Sequence, residues 1–138
     1  MIEITIPGKP VAKRRPRFAR RGKFVTTYND QETEEGRFLF EVQKQFKNAL
    51  SDKPLIVVCV FEMPRPKNHY GTGRNTGKLK EGSPKLHTKK PDIDNLIKFV
   101  LDCLNGIAWK DDSQIVRIVA EKSYSEKPST LIQIVEVD

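Results

Sequence analysis

The stretch "KPDIDNLIKFVLDCLNGIAWKDDSQIV", residues 90–116, decides how this chain is built. Its middle repeats apolar residues at helical spacing, with Leu96, Ile97, Val100, Leu101 and Leu104 on one stripe. Asn105-Gly106 follows, and a glycine there can take the left-handed conformation that closes a helix. An acidic pair stands at each end: Asp92 with Asp94 before or at the helix start, Asp111 with Asp112 after the turn. Beyond the second pair the pattern becomes β-rich. The stretch reads as a helix leading into a strand, with carboxylates collected at both junctions.

Working outward, residues 64–91 hold four prolines and four glycines with almost no apolar content. That composition predicts a long loop or mobile arm, a flexible basic arm over about 65–90. "LIVVCVF" at 55–61 lies in a strand over 55–62 that looks buried on both faces. A helix is predicted from about Gln31 to Leu50, with Leu39, Val42, Phe46, Ala49 and Leu50 as its stripe. Asn29 or Asp30 can cap it, and Glu32, Glu34 and Glu35 suit the positive end of its dipole. Residues 2–6 alternate as a strand. The proline-containing basic segment at about 7–28 reads as irregular. Residues 113–124 and 129–137 give two more strands around the turn "SEKPS". The order is β-α-β-α-β-β. It predicts a single α+β domain over 1–138, a mixed β-sheet with two main helices packed on it.

The formal net charge is +7, but it is unevenly placed. Residues 1–28 carry eight Lys/Arg against Glu3, and residues 65–90 carry eight against Glu81, so the remainder is net −7. Two basic arms around an acidic centre suit a bound polyanion. "KRRPRFARRGK" at 13–23 is dense and contains Phe18, which favours nucleic acid over a merely solvated surface. Lys13, Arg14, Arg15, Arg17, Arg20, Arg21, Lys89 and Lys90 are the candidate DNA contacts. The N-terminus does not read as a signal peptide and the longest apolar run is too short to span a bilayer, so cytoplasmic residence without membrane contact is expected. Cys59 and Cys103 sit in apolar patterns and read as buried free thiols.

Asp92 and Asp94, two apart in extended backbone, can turn both carboxylates to one point. Asp94 also suits a helix cap, and "KDD" suits a polar turn. Those structural roles leave Asp92 and Asp112 unexplained. Converging carboxylates repel one another unless a cation or shared proton neutralises them, and Mg²⁺ and Mn²⁺ prefer such oxygen ligands. Lys98 stands four residues from both Asp94 and Asp102. It fits an i, i+4 ion-pair ladder, or an ammonium that stabilises charge on a phosphate. "DIDN" lacks the glycine and later glutamate of an EF-hand. His69 and His87 have no metal-ligand spacing and are expected to be solvated or to face phosphate.

"HTKKPDIDNLIKFVLDCLNGIAWKDDSQIV" at 87–116 closely resembles the signature of the RusA family of Holliday-junction resolvases, found largely in prophages. The likeness extends more loosely to "IPGKPVAKRRPRF" and to the β-rich tail. It implies a homodimeric, Mg²⁺- or Mn²⁺-dependent endonuclease, with no small-molecule cofactor, that nicks four-way junction DNA symmetrically in recombination and repair. The family's catalytic aspartates fall by position on Asp92, Asp94 and Asp112, and its functional lysine on Lys98. Asp111 matches the fourth acid and is counted with the three as a metal ligand. The arm at 65–90 looks longer than in compact family members. Two rival readings are a general or flap-type nuclease without four-way selectivity and a non-catalytic nucleic-acid-binding protein.

Overall fold

The computed structural model of the chain describes residues 1–28 and 30–138; for Arg17, Arg21, Thr26, Thr27 and Tyr28 the backbone alone is described. In chain order the elements are β1 (Ile2–Pro7), β2 (Arg17–Arg21), β3 (Phe24–Tyr28), α1 (Glu32–Gln45), β4 (Leu55–Pro64), α2 (Ile93–Leu104), β5 (Ile115–Ser125) and β6 (Ser129–Glu136). Short 3-10 turns lie at Lys67–His69, Gly73–Asn75 and Asp112–Gln114. The predicted α+β order is present, with a β2–β3 hairpin added inside the basic segment.

Strand β4 is central in a mixed sheet of order β1-β6-β4-β5. It runs parallel to β5 and antiparallel to β6, and β6 runs antiparallel to β1. Its residues alternate: Leu55, Val57, Cys59, Phe61 and Met63 are buried, while Ile56, Val58, Val60 and Glu62 are half-buried. The strand is therefore fully covered on one face only, not on both as its apolar run suggests. That covered face meets Phe38 and Val42 of α1 and Leu96, Phe99, Val100, Cys103 and Leu104 of α2 in one core. Phe38 and Phe99 join the helices edge to face, with centroids 5.5 Å apart.

Helix α1 is shorter than its periodicity suggests. It ends at Gln45, and the Gln45 amide accepts from Thr5 N at 2.8 Å and donates to Thr5 O at 2.8 Å on the outer edge of β1. Phe46 then turns extended and packs on the core, while Ala49 and Leu50 are exposed. Gln31 holds the N-cap position without a side-chain cap bond. Asp30 faces Arg14 at 3.6 Å, and Asn29 lies outside the described residues. Helix α2 ends as its sequence predicts, with Asn105 at the C-cap and Gly106 at φ +77°.

The segment at 65–90 is a loop that makes hydrogen bonds within itself and to β5. Tyr124 N donates to Lys85 O at 2.8 Å and His87 N to Lys122 O at 3.1 Å, so residues 85–87 cover the far end of β5. Arg65 donates to Pro84 O at 2.8 Å, and Ser83 Oγ to His69 O at 2.9 Å. Both histidines contact Tyr124 edge-on, at 4.7 Å for His69 and 5.0 Å for His87. Burial overturns the expectation of a solvated His87, which is 9% exposed. Cys59 and Cys103 are buried free thiols, as expected, and burial pushes both up to about 12. Among the described residues no helix is long and apolar enough to cross a membrane.

Burial lowers the His87 pKa below 6.5, with Lys122 and then Lys9 adding repulsion. Its Nδ1 is buried without a hydrogen-bond partner among the described residues. Because the folded state favours the neutral ring, its contribution is complete above pH 6.5 and is lost as pH falls through the lowered value. Thermal unfolding at pH 8 and pH 5 should show a smaller acid-induced drop in Tm for His87→Phe than for the parent chain.

Candidate functional site

Helix α2 presents its polar side outward at Asp94, Lys98 and Asp102, all exposed and four residues apart. Asp92 occupies the N-cap, but its side chain makes no cap hydrogen bond, and Asp94 is already inside the first turn. The cap role open to Asp94 in the sequence is thus not used. Two exposed carboxylates stand at the positive end of the helix, where the dipole favours negative charge. The backbone beneath them is held from the sheet: Lys122 Nζ donates to Lys89 O and to Pro91 O, each at 2.8 Å.

The second pair divides its labour. Asp111 caps the 3-10 turn that follows it, accepting from Ser113 N at 3.1 Å and from the Ser113 hydroxyl. Those bonds hold its carboxyl below the ordinary carboxylate value. Gln114 completes the cap by accepting from Asp111 N at 2.8 Å and donating to Ser51 O at 2.8 Å. Asp112 instead accepts through Oδ1 from the indole Nε1 of fully buried Trp109, at 2.7 Å. From sequence alone Trp109 reads only as one more apolar residue. A tryptophan three residues before an acid across a turn was the available signal.

Asp92 and Asp112 lie at opposite ends of α2. Trp109 O accepts from Gly106 N at 2.8 Å, so the indole and its aspartate adjoin the C-terminal end. Twelve residues of helix span roughly 18 Å at about 1.5 Å each. Among the described residues, no three His, Cys, Asp or Glu side chains gather closely enough to hold a metal ion. The convergence of Asp92, Asp94 and Asp112 expected from sequence is not built inside one chain. A three-carboxylate metal site does not fit a lone protomer.

The basic residues fall into two groups. Lys13 lies within 3.5 Å of Glu35 and 3.4 Å of Asp102, bridging α1 and α2. Arg14 pairs with Glu34 at 2.9 Å. Buried Gln31 clasps the same segment, accepting from Arg14 N at 2.8 Å and donating to Ala12 O at 2.9 Å. Lys13 N also donates to Asn95 O at 2.8 Å, which lays the basic segment along the first turns of α2. Arg15, Arg20, Lys89 and Lys90 are exposed, and none forms a side-chain ion pair among the described residues. The Arg17 and Arg21 side chains lie outside the description. Lys98 is exposed and forms an ion pair with neither Asp94 nor Asp102 among the described residues, so the ladder reading is not realised; Asp102 pairs with Lys13 instead.

A model of the family described as "Endodeoxyribonuclease RusA" matches residues 7–135. The chain is also 33% identical over 138 residues to the uncharacterized protein YqaN of Bacillus subtilis (strain 168), covering 99% of this chain and 96% of that one.

Replacing Trp109 by Phe removes the indole donor and leaves a gap in the core. Chemical unfolding should show a loss of about 2–4 kcal/mol, read from a lower midpoint at unchanged slope.

Proposed function

The chain belongs to the RusA endodeoxyribonuclease family, and from that premise we propose that it is a metal-dependent nuclease that resolves four-way DNA junctions by paired symmetric nicks in recombination and repair. The observation that carries this reading is the state of the helix start: Asp92 and Asp94 are exposed and not engaged in capping, with the ammonium of Lys98 one turn on. Their oxygens are the hard donors that Mg²⁺ or Mn²⁺ selects. A divalent ion bound there would activate water and offset charge on the leaving oxygen. Lys98 offsets charge that develops on the phosphate oxygens as the P–O bond breaks. Arg15, Arg20, Lys89 and Lys90 hold the DNA backbone. Six to ten phosphate contacts would make affinity fall roughly 10³- to 10⁵-fold between 50 and 200 mM salt.

The third carboxylate comes from a second copy. Strand β5 forms one edge of the sheet, and away from residues 85–87 it exposes Val116 (64%), Ile118 (39%) and Val119 (45%). An open apolar edge is a template for strand pairing, and two copies meet most simply about a two-fold axis. Because β5 runs back along α2, antiparallel pairing of β5 with its mate brings Asp112 of the partner subunit toward Asp92 and Asp94. Each dimer then holds two sites, one for each strand to be cut.

A synthetic four-way junction incubated with Mg²⁺ should receive paired nicks that a linear duplex does not. Asp92→Asn should abolish them while binding persists. Equal cutting of junction and duplex would mean a general nuclease, and binding without cutting a non-catalytic one. Mixing Asp92→Asn with Asp112→Asn subunits tests the shared site, since a heterodimer then keeps one intact centre and regains nicking. Sites enclosed within single chains would leave the mixture inactive.

Asp111→Asn preserves a good cap residue. It should retain nicking within about tenfold, whereas Asp112→Asn should lose at least about 10³-fold, as measured in single-turnover assays.

A further inference from the structure

The β2–β3 hairpin is a two-stranded sheet separate from the main one. Gly22, at φ +62°, takes the first position of its two-residue turn, which a II′ hairpin reserves for glycine. Phe18, Phe24 and Val25 are 73%, 75% and 58% exposed, and none of them joins the core. A hairpin standing alone is at best marginally stable in water, and Phe18, Phe24 and Val25 face solvent and add no burial to it.

The surroundings select the partner. Seven of the eleven residues at 13–23 are Lys or Arg and none is acidic. In the strand register Arg20 opposes Val25, so Phe18, Arg20 and Val25 share one face. Arg20 on that face makes no ion pair among the described residues. An apolar protein partner would leave this charge uncompensated. A nucleic acid answers both features, with a phosphate for Arg20 and the flat face of a base for Phe18.

The hairpin also follows directly on a segment tied to α2. Its strand β2 begins four residues after Lys13, whose backbone N–H is fixed to Asn95 O beside Asp94. The hairpin thus starts a few residues from the chain that is bonded to the first turn of α2.

We propose that Phe18 is a base-stacking residue: it packs on an unstacked base at the branch point while Arg20 contacts the adjacent phosphate. This inference rests on the DNA-binding reading above, though not on junction selectivity or cutting.

The test uses the full-length protein with Phe18→Ala, Phe18→Leu and Phe18→Trp. Binding is measured to a four-way junction, a linear duplex, an oligothymidine strand and an abasic strand of equal length. Phe18→Ala should weaken binding to the junction and to oligothymidine by about 5- to 150-fold. Phe18→Leu should behave like Ala, and Phe18→Trp should restore affinity, while all four proteins bind duplex and abasic strand alike. Because Phe18 lies outside the core, circular dichroism should show unchanged folding. Equal affinity of all variants for oligothymidine, or the same loss on the abasic strand, overturns the proposal. If the parent chain binds junction and duplex equally, junction selectivity fails, and the contrast between oligothymidine and abasic strand still decides whether Phe18 stacks.

Discussion

The seating of α2 against β4 is the contact on which the rest of the site depends. Leu96, Phe99, Val100, Cys103 and Leu104 are all buried there, so the helix can neither rotate nor slide without exposing apolar surface. Truncating any one of the larger side chains would cost about 2–5 kcal/mol, a large share of an ordinary domain's stability. With the helix fixed, its polar side must carry Asp94, Lys98 and Asp102 outward. Its two ends then become the places where acidic groups are presented.

Each end is held by a polar contact reaching from another element. At the start, Lys122 on β5 supplies its ammonium to two backbone carbonyls of the segment leading into the helix. At the finish, the Trp109 indole orients Asp112 from inside the core. The basic segment is secured in the same manner, by the Gln31 amide and by the Lys13 contacts to both helices. Charge thus divides by context. Lys13 and Arg14 serve the fold, whereas Arg15, Arg20, Lys89 and Lys90 remain open to a polyanion.

Helix α2 was legible because its apolar stripe and closing glycine are local signals that packing reinforces. The α+β order was legible for the same reason. The contacts of the loop at 65–90 were not, since they are made with Tyr124 and the β5 edge, residues far along the chain. The β2–β3 hairpin was missed because its arginines obscure the alternation of β2 and because prolines crowd the segment just before it. Helix α1 was read too long because the contacts made at its end, Thr5 N donating to the Gln45 amide and that amide donating to Thr5 O, link residues 40 apart.

By itself the sequence determined which groups could do chemistry: the spacing of Asp92, Asp94 and Lys98, the acidic pair after the turn, and the placement of positive charge. These follow from side-chain chemistry and from periodicity along a single element. Tertiary structure alone decided how the acids are used. It assigned Asp111 to a cap, tied Asp112 to a buried indole, and set the helix length between Asp112 and the first pair. Distances across a fold depend on which surfaces are buried together, and no local pattern of residues encodes that.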